Sequence, residues 1–149
     1  MVAARTLSIL IVEDNSDIAE TTAALLELHG HTARTAQSGA EALRMAGESP
    51  PEVVILDIGL PGMDGFTLAG ELVAMLERRP LIVVISGYTN LRTECLAAGC
   101  DHYFVKPVEP AVLDRTLKEY AEKLDQVDSR RGQAENQPCQ QTSAPRRLP

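Results

Sequence analysis

The sequence predicts a doubly wound α/β fold, a three-layer sandwich in which helices cover both faces of a five-stranded parallel sheet. Apolar runs without polar alternation are typical of strands buried on both faces, and the clearest are Leu7–Val12, Val53–Leu56 and Leu81–Ile85. Helix-like segments lie between such runs, and this alternation indicates five strand–helix repeats with right-handed crossovers. The chain has 149 residues and 44% hydrophobic content, which suits one domain and leaves no room for a second of full size.

The first half of the chain contains two helix signals and a weaker strand. A helix is predicted from about Ser16 to His29, where Gly30 ends it. Its expected apolar stripe consists of Ile18, Thr22, Leu25 and Leu26. The segment "HTARTA" (31–36) has the character of an edge strand, and the next helix opens with Ser38 and Glu41 in capping-box spacing.

The second half contains three more helices and the last strand. Asp64 is the expected N-cap of a helix whose stripe is Phe66, Ala69, Val73 and Leu76. A short helix over about 92–98 ends at Gly99, and "HYFVK" (102–106) follows as the fifth strand. A last helix is predicted over 109–124, with Leu113, Leu117, Tyr120 and Leu124 on one stripe.

Composition changes after Asp125. The residues from there on are mostly glutamine, proline, serine and arginine, with almost nothing to bury. We therefore expect residues 1–125 to form the domain and residues 126–149 to form a disordered tail. No further module follows in this sequence, which starts with Met1, so a single-domain protein is the expectation.

Charge and cysteine content exclude several classes of protein. The net charge of −7 disfavours direct contact with nucleic acid or anionic lipid. Apolar runs stop far short of the ~20 residues of a membrane helix, and the N-terminus lacks a cleavage pattern, so we expect a cytoplasmic protein. Three cysteines fit neither a disulfide framework nor a zinc site. We interpret His29, His31 and His102 as surface histidines.

Five polar residues follow the predicted strands, and in an open parallel sheet the carboxyl ends of the strands border the functional crevice. They are Glu13, Asp14, Asp57, Ser86 and Lys106. Any one of the carboxylates alone is commonly a helix cap or a turn residue. Together, the five predict a site on one rim of the sheet.

The chemistry of this set indicates phosphoryl transfer. Three carboxylates held close raise one another's pKa unless a cation neutralises them, and Mg²⁺, or Mn²⁺ in its place, prefers such oxygen ligands. Lys106 offers a mobile charge for Asp57 or for a phosphoryl group, and Ser86 offers a hydroxyl. Since catalysis of in-line phosphoryl transfer is mostly positioning and charge neutralisation, the set predicts Asp57 as the nucleophile.

The motifs "ILIVEDN", "ILDIGLPGMDG", "ISG" and "YFVKP" resemble those of response-regulator receiver domains of bacterial two-component signalling. The resemblance covers about residues 7–124. It implies the flavodoxin-like strand order 2-1-3-4-5. It further implies that Asp57 accepts a phosphoryl group from a sensor or hybrid histidine kinase or a phosphotransfer protein. By the same resemblance Glu13, Asp14, Asp57 and the backbone carbonyl of Gly59 hold Mg²⁺.

The resemblance also implies a switch. Ser86 and Tyr103 would respond to the phosphoryl group and alter the face built by helix 4, strand 5 and helix 5, which is also the expected surface for a homodimer and for an unknown downstream protein. Read without the family, Tyr103 is a half-buried packing residue. The Lys106–Pro107 bond resembles the family's cis peptide. Gly59 and Tyr88 occupy positions that modulate the lifetime of the phosphoryl group.

The sequence departs from the family pattern in two ways. Ser86 and Lys106 lie 20 positions apart, about two fewer than is common, which predicts a trimmed loop or fourth helix. Glu13 replaces the commoner aspartate, although its carboxylate can still serve through a water.

Two other functions stay open on the sequence alone. One is a phosphorylation-independent interaction module, a pseudo-receiver with the same fold, which the completeness of the five-residue site disfavours. The other is an aspartyl-phosphate phosphatase resembling the haloacid dehalogenase family. Those enzymes carry a second acid two residues after the nucleophile, where this chain has Gly59. We therefore expect a phosphoacceptor signalling protein rather than an enzyme acting on other substrates.

Overall fold

The computed structural model describes residues 5–60 and 62–136. Strands and helices alternate along this part of the chain, as the apolar pattern predicts. In order they are β1 (Ser8–Val12), α1 (Ser16–Leu28), β2 (Thr32–Ala36), α2 (Gly39–Glu48), β3 (Val53–Leu56), α3 (Gly65–Met75), β4 (Leu81–Ser86), α4 (Arg92–Ala97), β5 (His102–Val105) and α5 (Pro110–Asn136).

The five strands form one parallel sheet in the order β2-β1-β3-β4-β5. The register aligns Val12 of β1 with Leu56 of β3, and Leu56 with Val84 of β4. The residues that follow these strands therefore share one edge of the sheet. Both the parallel sheet and the strand order implied by the resemblance are confirmed.

Two apolar cores lie on opposite faces of the sheet. Leu10, Val54 and Ile82 face the core shared with α2, α3 and α4. Their chain neighbours, such as Ile9 and Val53, face the second core, which is shared with α1 and α5. Since successive side chains of a strand point to opposite faces, continuous apolar runs are what this double burial requires.

Helix α1 buries only part of the predicted stripe. Ala19 and Leu26 are buried, whereas Ile18 is 46% exposed, so Leu26 is confirmed and Ile18 is wrong. Ala19, partly buried Ala23 and Leu26 recur at helical spacing and face the sheet. Ile18 and Thr22 instead line a groove beside Lys106 and the start of α5.

Helix α5 continues twelve residues beyond its predicted end at 124 and reaches Asn136. The guanidinium of Arg5 binds Asp125 and Asp128 on this extension, at 3.4 and 2.5 Å. The predicted disorder is therefore wrong for 126–136, because polar anchoring substitutes for the apolar burial that the composition lacks. The remainder of the predicted tail, 137–149, lies outside the described residues.

Two further observations complete the fold. Helix α4 has only six residues, and no side chain caps its N-terminus at Leu91. Among residues 5–60 and 62–136, no helix combines the length and the apolar character that crossing a bilayer demands.

Candidate functional site

The polar residues predicted from the sequence meet at the carboxyl edge of the sheet. Backbone hydrogen bonds place them: the Asp57 N–H donates to the Val12 carbonyl at 3.1 Å, and the Lys106 N–H donates to the Ser86 carbonyl at 2.8 Å. Glu13 follows β1 directly and is held in the same way by the carbonyl of Ala36, at 2.9 Å. The sheet thus fixes the backbone beneath each functional side chain.

Three carboxylates cluster within this edge. Glu13, Asp14 and Asp57 each offer an oxygen atom, and these atoms all lie within 4.8 Å of one another. Glu13 is buried, and its Oε2 has no hydrogen-bond partner among the described residues. Asp14 is exposed to solvent. A buried carboxylate oxygen without a partner is costly unless a cation or a proton satisfies it.

Lys106 supplies the positive charge nearest to these acids. Its Nζ lies 3.1 Å from Oδ2 of Asp57 and 3.9 Å from Oε1 of Glu13. The Lys106 side chain is partly exposed and the Asp57 side chain less so. The ion pair is therefore partly accessible to solvent.

The pKa values of Glu13 and Asp57 are shifted in opposite directions. Burial, followed by the neighbouring carboxyl group of Asp57, raises the pKa of Glu13 to about 7, although Lys106 opposes the shift. Burial would also raise the pKa of Asp57, but the N–H of Gly59, the neighbouring carboxyl group of Glu13 and the ammonium of Lys106 together hold it below its ordinary value. Asp57 is therefore ionised at neutral pH, as a nucleophile must be.

The donor set fits a hard divalent cation. Mg²⁺ binds carboxylate oxygens together with waters, and the buried, unpartnered oxygen of Glu13 is a ligand atom of that kind. The N–H of Gly59 donates to Oδ1 of Asp57 at 3.0 Å. The carbonyl of Gly59 stays a predicted ligand.

Ser86 at the end of β4 and Tyr103 in β5 are connected through Tyr88. Ser86 is fully buried, and its Oγ accepts a hydrogen bond from the Tyr88 N–H at 3.1 Å. Tyr103 is only 2% exposed, and its hydroxyl donates to the Tyr88 carbonyl. Tyr103 is thus fully buried, and not the half-buried packing residue that the strand pattern alone predicted.

The site also contains features that sequence reasoning missed or only inferred. Arg92 at the start of α4 lies over the ring of Tyr103, and no spacing or motif in the sequence pointed to it. The Lys106–Pro107 peptide bond is cis, as the resemblance implied. A cavity of about 60 Å³ reaches Asp57 between Ile18 and Ile85.

Among residues 5–60 and 62–136, the histidines and cysteines take no part in this site. His31 is buried, and its Nδ1 accepts a hydrogen bond from the Leu7 N–H at 3.2 Å. Its assignment to the surface is therefore wrong. Within the described part of the chain, the acidic cluster is the one group with metal-ligand spacing. Cys95 and Cys100 are free and buried, and burial raises the pKa of both thiols, as expected of structural cysteines.

Comparisons with known proteins agree with this geometry. The family model of the response regulator receiver domain matches residues 9–118. The transcriptional regulatory protein PrrA of Mycobacterium tuberculosis is 38% identical over 112 residues, which are 74% of this chain and 48% of PrrA. Protein PilH of Pseudomonas aeruginosa is 31% identical over 112 residues, covering 73% of this chain and 93% of PilH.

Solved structures show the same fold. A CheY-like response regulator receiver domain from Methylobacillus flagellatus matches with a TM-score of 0.72 and 33% identity, over 77% of this chain and 98% of that one. The chain spans about half the length of the first curated relatives it matches.

Proposed function

Because the chain belongs to the response regulator receiver domain family of two-component signalling proteins, we propose that it accepts a phosphoryl group on Asp57 and signals through altered contacts with other proteins. The observation that carries the proposal is the state of Asp57: an ionised carboxylate at the carboxyl edge of the sheet, 3.1 Å from the ammonium of Lys106. This is a charged nucleophile beside a cation that can neutralise what it acquires.

The proposed reaction is an in-line displacement. A carboxylate oxygen of Asp57 attacks the phosphorus of a phosphohistidine, an oxygen–phosphorus bond forms, and the phosphorus–nitrogen bond to the imidazole breaks. Lys106 then pairs with a phosphoryl oxygen in place of the carboxylate, and the hydroxyl of Ser86 donates to another. Mg²⁺ or Mn²⁺, held by Glu13, Asp14, Asp57 and the carbonyl of Gly59, would neutralise charge on the phosphoryl oxygens.

The donor in this proposal is a sensor or hybrid histidine kinase, or a phosphotransfer protein, acting in the cytoplasm. The receiver would answer through a downstream protein and not through direct contact with nucleic acid or a membrane, consistent with the net charge of −7. The α4, β5 and α5 face is the proposed output surface, where phosphorylation would also favour a homodimer. Ser86 and Tyr103 are the proposed switch residues. Gly59, Tyr88 and Pro107 are proposed to modulate the reaction.

The test is intact-mass spectrometry after incubation with Mg²⁺ and a small-molecule phosphodonor. We expect the wild type and Asp17→Asn to gain one phosphoryl mass, since Asp17 is an exposed carboxylate in the first turn of α1. Asp57→Asn should gain none, and a chelator should abolish the gain in the wild type.

If the wild type gains no mass from the phosphodonor, the incubation is repeated with a phosphorylated histidine donor. Failure with both donors would refute the proposal. The phosphorylation-independent interaction module would then replace it. A phosphatase would still be disfavoured, because Gly59 provides no second acid.

A further inference from the structure

A short series of hydrogen bonds links the candidate site to helix α4. Oγ of Ser86 accepts from the backbone N–H of Tyr88, and the carbonyl of the same Tyr88 accepts from the hydroxyl of Tyr103. The backbone N–H of Tyr88 is thereby bonded to a residue of the site, and its carbonyl is bonded to a residue of the core. The position of Tyr103 therefore constrains the loop that carries Tyr88, and with it the hydroxyl of Ser86.

Arg92 contacts Tyr103 in two ways. Its guanidinium carbon lies 5.8 Å from the centroid of the Tyr103 ring, a cation–π distance. Its Nη2 donates to the Tyr103 carbonyl at 3.2 Å. One side chain of α4 thus holds both the ring and the backbone of a residue in β5.

The length and capping of α4 explain why this contact matters. The helix has six residues and no capping side chain, and Cys95 is the residue it buries. Leu91, which precedes its first turn, packs against the core, and Arg92 adds the polar contact there. A planar guanidinium that stacks on a ring and donates a hydrogen bond at once is well suited to that role, and lysine cannot reproduce both contacts.

We propose that Arg92 is a positioning residue for phosphoryl transfer at Asp57, acting through Tyr103 and Tyr88 to hold the hydroxyl of Ser86 at the site. This inference rests on the proposed function. Arg92 itself touches neither the acids nor Lys106. Its loss should free Tyr103, loosen the loop from 87 to 91 and leave the Ser86 hydroxyl less well placed.

Chemical labelling tests the first step without any phosphorylation. The chain has three tyrosines: Tyr103 is buried, Tyr88 is 61% exposed, and Tyr120 on α5 is partly buried against the second core. Tetranitromethane should nitrate Tyr88 in the wild type and spare Tyr103. In Arg92→Ala we expect nitration of Tyr103 to rise several-fold while that of Tyr120 stays unchanged.

Exchange and kinetics test the remaining steps. The Tyr88 amide should exchange faster in Arg92→Ala, and phosphorylation of Asp57 should slow by roughly two- to tenfold, the effect of one lost hydrogen bond. Arg92→Lys, which keeps a cation over the ring, should restore part of both values. Arg44→Ala is the matched control, since the exposed Arg44 on α2 has Glu48 as its one ion-pair partner within the described part of the chain.

Three outcomes would overturn the inference. The first is a Tyr103 that stays as protected in Arg92→Ala as in the wild type, and the second is a Tyr88 amide that still exchanges at the wild-type rate. The third combines nitration with kinetics. An exposed Tyr103 together with an unchanged phosphorylation rate would make Arg92 a packing residue only. If wild-type Asp57 accepts no phosphoryl group, the proposed function fails, while nitration and amide exchange still decide whether Arg92 holds Tyr103 and Tyr88. Should Arg92→Ala not fold, Arg92→Lys is compared with the wild type by the same three measurements.

Discussion

The orphaned carboxylate oxygen of Glu13 should make the stability of the protein depend on divalent metal. A cation that binds only the folded state raises the free energy of unfolding, by about 2.7 kcal/mol at a concentration one hundred times its Kd. We expect Mg²⁺ to stabilise the wild type against denaturant and to stabilise Glu13→Gln much less. Glu71→Gln, an exposed change on α3, should behave as the wild type does. Equal stabilisation of Glu13→Gln would exclude Glu13 as a ligand.

Tyr88 should influence how long the phosphoryl group survives on Asp57. Its exposed side chain stands two residues after Ser86, in the loop beside the site, where it can hinder an approaching water. Tyr88→Ala keeps the backbone bonds of the loop, so a change in rate would report on the side chain alone. We expect faster dephosphorylation, by roughly two- to tenfold, measured as decay of the phosphorylated mass. An unchanged decay would remove this role.

His31 should make the protein sensitive to acid. Burial lowers its pKa below 6.5, despite the nearby charge of Asp114, and its Nδ1 must stay unprotonated to accept from Leu7. The unfolded chain then binds the proton more tightly, so the stability that His31 contributes is present above about pH 6.5 and is lost as the pH falls through the lower folded pKa. Unfolding the wild type and His31→Gln with denaturant across this pH range tests whether the contribution of His31 to stability is lost at low pH. A steeper acid loss in His31→Gln would contradict it.

At the scale of the element, α5 depends on polar contacts at its far end. Arg5 binds Glu52 at 2.7 Å as well as Asp125 and Asp128 on α5, and it is partly buried. We expect Arg5→Ala to lower the free energy of unfolding by about 1–2 kcal/mol, because three carboxylates lose their partner together. Arg44→Ala, which removes an exposed pair within α2, should cost less than about 0.5 kcal/mol. Equal losses would mean that the Arg5 cluster adds nothing beyond an ordinary surface pair.

The same element shows where prediction from sequence fails. The helix signals at Ser38 and Asp64 lie within a few residues of the backbone they cap, and both caps are present in the structure. Arg5 and Asp128 are separated by 123 positions. Contacts of that kind leave no periodic trace in the sequence, so neither the extension of α5 nor the contact of Arg92 with Tyr103 could be predicted.

At the scale of the whole molecule, the two cores should unfold as one unit, since both are built on the same sheet. Leu10 lies in the core with α2, α3 and α4, and Leu117 lies in the core with α1 and α5; both are fully buried. Replacing either by alanine should cost about 2–5 kcal/mol in a single transition. Unfolding of each variant is measured by circular dichroism. Two transitions in either variant would show that the cores are independent.

The fold and the site were predictable for the same reason. Apolar runs such as Val53–Leu56 identify strands buried on both faces, and parallel strands bring their carboxyl ends to one edge. Asp57 and Lys106 could therefore be placed together from sequence alone, and their side chains do meet. The direction of each pKa shift could not be predicted, because it depends on how deeply Glu13 is buried and on which atoms it contacts.

The contacts of Arg5 with Asp125 and Asp128 divide α5 into a longer part and a shorter part. At 1.5 Å per residue, about 25 Å of helix lies between this point and Pro110, near the site, and about 14 Å lies beyond it. A rigid helix tilting about this point would move its far end in the opposite direction and through about half the distance. A displacement of 2 Å beside Lys106 would thus reach Asn136 as roughly 1 Å, on the opposite side of the molecule from the acids.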